Sequence, residues 1–527
     1  MNDPPAEAAM SDDHVVEDQS TVFAFLADPA THGGEAPVTR IDTHGAAVFL
    51  AGDHAFKVKR AVDFPFMDFS TLEKRRAACE GEIAINRPNA PDLYLDALPV
   101  TESDGHLAIG GNGRVIEWLV HMRRFDEAQT LDRLAEAGPF DLATLSDLAS
   151  AVAQAHRRAP AMPDGFDAFA ALAEIAADNI ASFSAAPDLF PPAEVEALTA
   201  ATLTALSTYR PLLQRREESG FVRHCHGDLH LRNIALIEGR PVLFDAIEFN
   251  PQLATCDLLY DLAFLLMDLW QRERHADANL VLNRYLWAMD DEAHYEGLAA
   301  LPLFISLRAG IRAKVGVPTL AHLTGESRAD AEGKVRAYFD AARAFLTPVP
   351  PVLVAVGGLS GTGKSRLGAR LAPTLGRAPG AVVLRSDVER KLINGVGEME
   401  RLPPSAYGPG SADAVYARLR HRARIALDAG AAVVVDAVHA RAQERKAIED
   451  IAETRPFLGL WLTAAIETLK ARVAARSNDA SDATPDVITE QMTYDLGPMT
   501  WQEIDVSRDS EAAEAVVTSW QKTIRKE

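Results

Sequence analysis

The segment VLVAVGGLSGTGKSRLGARL (352–371) decides the fold of the C-terminal half. Its apolar run VLVAV (352–356) has the length and composition of a buried strand. The strand runs into Gly358-Leu-Ser-Gly-Thr-Gly-Lys-Ser365, and a helical run (364–375) follows. A strand, a glycine loop and a helix in this order make a phosphate cradle. Gly358, Gly361 and Gly363 let backbone N–H groups face phosphate oxygens, and the helix N-terminus adds favourable partial charge. Lys364 is expected to reach the β- and γ-phosphates of ATP, and Ser365 to ligate Mg2+.

Outward from the loop, apolar runs recur at AVVLR (381–385), AVVVDA (432–437), FLGLWL (457–462) and EIDVS (503–507). They alternate with helical stretches, which predicts an α/β domain with a parallel sheet over 352–527. Such sheets bind ligands beyond the carboxyl ends of their strands, and two acids stand there. Asp387, in RSDVERK, is placed to take a proton from a substrate hydroxyl. Arg390, three residues on, either holds a polar or anionic substrate or orients Asp387. Asp436 ends VVVD as a Walker-B-like acid for Mg2+, held directly or through water. Arg472 and Arg476 lie one helical turn apart before a polar stretch, and read as a lid carrying guanidinium groups to the transferring phosphate. The blander readings are helix caps for the acids and an exposed helix end for the arginines. Segment 350–527 resembles the small P-loop kinases: the gluconate kinase, adenylylsulfate kinase, chloramphenicol phosphotransferase and zeta-toxin group. Its D-x-x-R pair also resembles phage polynucleotide 5′-kinase. No arginine-finger or sensor segment of an AAA+ motor is recognisable.

The first half carries a second signal, His226-Gly-Asp-Leu-His-Leu-Arg-Asn233, followed by a strand and Asp245 in PVLFDAIEF. An Asp and an Asn five apart on one loop can serve different tasks. Asp228 would accept the substrate hydroxyl proton, Asn233 would hold Mg2+, and Asp245 would add a carboxylate to the same metal. Zinc at HCH (224–226) is disfavoured, because ligands on adjacent residues suit a tetrahedral site poorly. The pattern H-G-D-x-x-x-x-N resembles the aminoglycoside phosphotransferase and choline kinase group, which has a protein-kinase-like α+β fold. In DLLYDLA (257–263), the resemblance makes Asp257 and Asp261 structural. It also implies a strand lysine paired with a helix glutamate. Lys57 and Lys59 face one side of the strand HAFKVK (54–59), with Lys57 preferred. The helix 72–86 offers Glu80 and Glu82 for the glutamate, with Glu82 preferred, and VIEWLV (115–120), with Glu117, would then be the hinge whose backbone reads adenine. No G-x-G-x-x-G precedes Lys57; the nearest candidate is Thr43-His-Gly-Ala46.

The domain plan is therefore an acidic disordered tail (1–20) and a kinase-like domain (21–346). The latter has a small lobe at about 38–120 and a helical lobe at about 126–346. A Pro-rich linker (347–351) and the P-loop domain (352–527) complete the chain, whose 527 residues fit about three folding units. Net charge is -22 with no basic stripe, which argues against duplex nucleic acid as a partner. Three scattered cysteines give no disulfide framework, and no apolar window is long enough for a membrane span; a cytoplasmic protein is expected. The pairing of modules resembles the bacterial bifunctional aminoglycoside phosphotransferase/ATP-binding proteins. That resemblance implies two ATP- and Mg2+-dependent phosphotransfer sites acting on hydroxyl groups of small molecules. Two alternatives stand beside it: a nucleotide-sensing module that controls its neighbour, and a toxin-like kinase acting on a nucleotide sugar. The acceptor and the oligomeric state are not legible in the residues.

Overall fold

The computed structural model describes residues 14–43, 45–64, 67–475 and 480–524. The chain divides into two compact units. The first takes the chain up to Ala200 together with Leu213–Asp268 and Leu307–Ala342. The second takes Ala201–Leu212, Leu269–Ser306 and Arg343–Glu527.

The first unit is built on a six-stranded antiparallel sheet. Its order is Thr39–Asp42, Ala46–Ala51, His54–Lys59, Arg114–Arg123, Tyr94–Ser103, His106–Ile109. In His54–Lys59, alternation puts Phe56 and Val58 on one face, where Val22 and Leu26 of the helix Ser20–Ala27 complete an apolar core. Lys57 and Lys59 lie on the other face, toward the helix Leu72–Asn86. That helix starts at Thr71, whose hydroxyl accepts from Lys74 N. The helical lobe begins beyond Arg123, and a two-stranded hairpin, Ile234–Ile237 with Arg240–Leu243, follows the H-G-D loop.

Two expectations need correction here. Residues 14–20 are packed rather than trailing. Val15 bridges Val62, and the buried Gln19 side chain donates to Lys59 O at 2.9 Å and Glu117 Oε2 at 2.8 Å. Residues 1–13 lie outside the described residues. Second, Glu117 is not at a hinge. It lies inside the strand Arg114–Arg123, opposite Val100, and its carboxylate accepts from Arg75 Nε at 2.9 Å. Its backbone belongs to the sheet ladder, so the chain first leaves the sheet at Arg123. The partner strand Tyr94–Ser103 carries Pro99 within it. Register shifts at Tyr94/Asp96 and Val100/Thr101 flank the proline, and Gly110 N donates to Pro99 O.

The second unit holds a five-stranded parallel sheet in the order Val382–Arg385, Val433–Asp436, Leu353–Gly358, Phe457–Thr463, Gln502–Asp505. Continuous Val/Leu runs suit strands covered on both faces. Val354, Val356, Val434, Leu460 and Leu462 meet Leu367 and Leu371 of the helix Lys364–Leu371 in one core. The edge strand Val382–Arg385 is not left bare. The helix His275–Met289 lies along it: Val383 N donates to Asn283 Oδ1 at 2.7 Å, Asn279 Nδ2 donates to Ala381 O at 3.0 Å, and Trp287 Nε1 donates to Val383 O at 3.2 Å. Beside it, the buried Arg422 donates twice to Glu389 at 3.0 Å and pairs with Asp290. A boundary at 347–351 therefore misplaces Leu269–Ser306. These helices satisfy the polar edge of the P-loop sheet, where an open edge invites non-native pairing.

Candidate functional site

In the first unit, the strand lysine, the helix glutamate and the loop acids converge. Lys57 Nζ donates to Glu82 Oε1 at 2.9 Å and to Asp245 Oδ1 at 2.6 Å. Lys59 lies deeper: its Nζ bonds Glu82 Oε2 at 2.5 Å and pairs with Glu248. Glu82, fully buried, thus holds both lysines, and only Lys57 reaches the loop acid. Burial works against the charge on Lys57, yet Asp245, Glu82 and Glu248 hold its ammonium well above the usual lysine range. Burial likewise opposes charge on Asp245, and Lys57 overrides it, drawing the carboxyl below the usual range.

Asp245 has φ 60°, a left-handed backbone that a non-glycine residue adopts at some cost. Its backbone N–H donates to Tyr94 OH at 3.0 Å. Asn233 Nδ2 donates to Asp228 O and Asp228 Oδ2, both at 3.0 Å, which turns its amide oxygen outward from that pair. Asp228 keeps 38% of its side chain open, with His230 Nε2 at 3.3 Å. Desolvation raises its pKa, but His230, His226 and Arg308 together press it far below the usual carboxylate range. Asp228 is ionised at neutral pH.

The loop itself is held from below by Asp261, as the sequence implied. Its Oδ1 accepts from Gly227 N at 2.8 Å, and its Oδ2 accepts from His226 N at 3.3 Å and bonds His156 Nε2 at 3.1 Å. Arg308 Nη1 donates to Gly227 O at 2.9 Å, and Asp268 accepts from Leu231 N at 3.0 Å. Asp257 is bound at two points by Arg216, at 2.6 and 2.9 Å. His156, Cys225 and Asp261 bring one ligand atom each within 4.8 Å of one another. The Asp261 oxygens already serve the loop backbone, so this cluster reads as support for the loop.

In the second unit, the phosphate loop takes the expected form. Gly358 has φ 136°, and a Cβ there would lie 2.6 Å from Leu462 O; Gly361 has φ 87°, and its Cβ would lie 2.8 Å from Leu469 O. Lys364 opens the helix after Gly363, and its Nζ donates to the loop carbonyls of Gly358 (2.8 Å) and Leu359 (3.0 Å). Ser365 Oγ donates to Asp436 Oδ2 at 2.5 Å, since the P-loop strand and the strand ending in Asp436 are direct neighbours. Asp387, in the first turn of Ser386–Ile393, is half-buried and has no side-chain hydrogen bond or ion pair among the described residues.

The arginines behave differently from the expectation. Arg390 does not orient Asp387. Its Nη1 donates to Ala406 O at 3.1 Å and Ser411 Oγ at 3.0 Å, and its guanidinium lies over the Tyr407 ring. Arg472 is not a lid arginine in this arrangement: its Nη2 donates to Val506 O at 2.9 Å and Ser507 O at 3.1 Å. Leu469 and Val473 occupy the helix face that meets Gly361, which turns Arg472 toward the end of the last strand. Arg476 lies outside the described residues.

Sequence reasoning missed two residues here. The buried Gln491 accepts from Ser360 N at 2.8 Å and so anchors the phosphate loop. His439, three residues beyond Asp436, is buried with φ 50° and no hydrogen-bond partner on either ring nitrogen among the described residues. Burial, then the charges of Lys364, Arg445 and Arg420, press its pKa to about 3, so it is neutral. An isolated glutamine and a lone histidine carry no spacing signal.

Both donor sets fit a small hard cation. Asn233 and Asp245 in one unit, and Ser365 and Asp436 in the other, offer only oxygen atoms, as Mg2+ demands.

Residues 353–495 match the family model described as an AAA domain. An uncharacterized protein of Mycobacterium tuberculosis is 30% identical over 468 residues, covering 86% of this chain and 90% of that protein. Among solved structures, a choline/ethanolamine kinase family protein from Mesorhizobium loti is similar over 62% of this chain and 98% of its own, at TM-score 0.38 and 17% identity. A gluconokinase from Sinorhizobium meliloti is similar over 33% of this chain and 95% of its own, at TM-score 0.24 and 19% identity.

Proposed function

The chain belongs to the same family as the mycobacterial protein, and we propose that each of its two modules is an ATP- and Mg2+-dependent phosphotransferase acting on hydroxyl groups of small molecules. The observation that carries this reading is the meeting of Lys57, Glu82 and Asp245, the first and last 188 residues apart, beside Asp228 and Asn233. A structural ion pair needs no second acid and amide at the same place.

Magnesium-bound ATP supplies the phosphoryl group, and the metal neutralises charge on its oxygens. In the first module, Lys57 positions the phosphates while Glu82 fixes the lysine. Asn233 and Asp245 would hold the metal. Asp228, already ionised, would accept the hydrogen bond of the acceptor hydroxyl and take its proton as the new O–P bond forms and the bond from the γ-phosphorus to the β-phosphate oxygen breaks, releasing ADP. In the second module, Lys364 would exchange the loop carbonyls for the phosphates, Ser365 and Asp436 would hold the metal, and Asp387 would be the base. Arg390, packed over Tyr407, would hold a polar or anionic acceptor rather than orient Asp387. The acceptors are small molecules rather than duplex nucleic acid, in keeping with the net charge of -22.

The test is transfer from γ-labelled ATP into a metabolite extract by the full-length protein, run beside Lys57→Ala and Lys364→Ala. Two labelled products are expected, one lost with each variant. No labelled product from the wild type refutes the reading. A single product that depends on Lys364 alone makes the first module a nucleotide sensor instead.

A further inference from the structure

The metal acid of the P-loop module is connected to a helix that precedes the linker. Ser365 Oγ donates to Asp436 Oδ2, and the same oxygen lies 3.4 Å from Arg385 Nε. Arg385 Nη1 lies 3.8 Å from Glu398 Oε1, and Arg284 Nη1 pairs with Glu398 Oε2. The side chains of Arg284, Arg385 and Glu398 are 11%, 11% and 21% exposed, so water and salt screen these charges weakly. Arg284 lies on the helix His275–Met289, which Asn279, Asn283 and Trp287 fix to the strand ending in Arg385. Both ends of the connection are therefore anchored.

We propose that Arg284 is a positioning residue for the metal site of the P-loop module, setting through Glu398 how strongly Arg385 neutralises Asp436. This rests on the reading of Asp436 as the metal acid. Arg385 stands between two carboxylates that compete for it. While Arg284 occupies Glu398, the competition is weak, and Arg385 stays with Asp436. A cation beside a metal ligand lowers that ligand's pull on a divalent ion. Without Arg284, Glu398 draws Arg385 away, and Asp436 becomes the better ligand. Without the Glu398 charge, Arg385 stays with Asp436, which becomes the poorer one. The two substitutions thus act in opposite directions, whereas simple loosening of the site would move both the same way. Helix 275–289, which the sequence assigns to the first kinase-like domain, becomes part of the second module's metal chemistry.

The probe is Mn2+ with a non-hydrolysable ATP analogue, followed by electron paramagnetic resonance on the full chain. A Lys57→Ala/Asp245→Asn background removes the first site. Arg284→Gln is expected to tighten Mn2+ binding and Glu398→Gln to weaken it, each by about threefold or more, the low end for coupled charges in one network. The double variant should behave as Glu398→Gln alone, because Arg284 acts through Glu398. Arg284→Lys, which keeps the charge, should remain near the parent. If Asp436→Asn leaves Mn2+ binding unchanged, the metal reading of Asp436 fails. If Asp436→Asn weakens binding but Arg284→Gln and Glu398→Gln shift it the same way, or not at all, the proposed connection is overturned. Should Arg284→Gln fail to fold, Glu398→Gln and Arg284→Lys decide: a wild-type constant for Glu398→Gln refutes the proposal.

Discussion

Replacing Asn283 with alanine removes one side chain from the edge of the P-loop sheet. Asn283 is 3% exposed; its Oδ1 accepts from Val383 N at 2.7 Å, and its Nδ2 donates to Ala381 O at 3.1 Å. Ala381 O keeps a second donor, Asn279 Nδ2 at 3.0 Å. The net loss therefore falls on Val383 N–H, which is left buried without an acceptor. An orphaned buried donor costs ~1–3 kcal/mol. Alanine returns ~0.6 kcal/mol of helix propensity over asparagine, and the lost Nδ2 bond takes ~1 kcal/mol. The sum is a destabilisation of about 2 kcal/mol, roughly a factor of 30 in the unfolding equilibrium. Five of the six tryptophans (Trp270, Trp287, Trp461, Trp501 and Trp520) lie in the second unit, so tryptophan fluorescence in a urea titration reports on it. The midpoint is expected to fall by about 1 M. An unchanged midpoint would mean that the helix His275–Met289 contributes nothing to the P-loop unit, and that the boundary belongs at the proline-rich linker after all.

Asp228→Asn should lower kcat of the first module by about 10²-fold or more with ATP affinity retained, while Asp245→Asn should weaken Mg-ATP binding; calorimetry beside kinetics separates them, and the reverse pattern would exchange the roles. His439 has a native pKa near 3 against ~6.5 unfolded, so below pH 6.5 the unfolded chain binds a proton that the native chain refuses. Stability is lost as pH falls through this window at ~1.4 kcal/mol per pH unit, and His439→Phe should remove that component in unfolding titrations at pH 7 and pH 5. An identical pH dependence in both proteins would mean that His439 is protonated in the native state. Arg472→Ala should leave transfer by the P-loop module within about twofold while lowering its urea midpoint, because its guanidinium serves the carbonyls of Val506 and Ser507; a loss of ~10²-fold in kcat would return it to the phosphate.

The parallel sheet was legible because its apolar runs and glycine loop are local patterns, and so was the H-G-D loop, whose spacing is a local constraint. The tertiary pairs were harder. Lys57 and Lys59 share a face and both bond Glu82; only the reach of Lys57 to Asp245, far along the chain, separates them. The family resemblance made VIEWLV with Glu117 the hinge, but the partner strand Tyr94–Ser103 is hidden in sequence by Pro99 and its register shifts. Arg472 and Arg476 share a helix face in a periodicity argument. Which way that face points is decided by Leu469 and Val473 packing on Gly361, a contact between distant segments. The domain boundary failed for a similar reason: prolines mark where a chain is stiff, whereas Asn279 and Asn283 mark where an edge is covered.

The most direct test of the two-site account is the stoichiometry of a non-hydrolysable ATP analogue with Mg2+ on the full-length protein, measured by titration calorimetry. Two sites per chain are expected, falling to one with Lys57→Ala and to one with Lys364→Ala, because each lysine belongs to its own set of metal acids. A single site that vanishes with Lys364→Ala and is untouched by Lys57→Ala would contradict it.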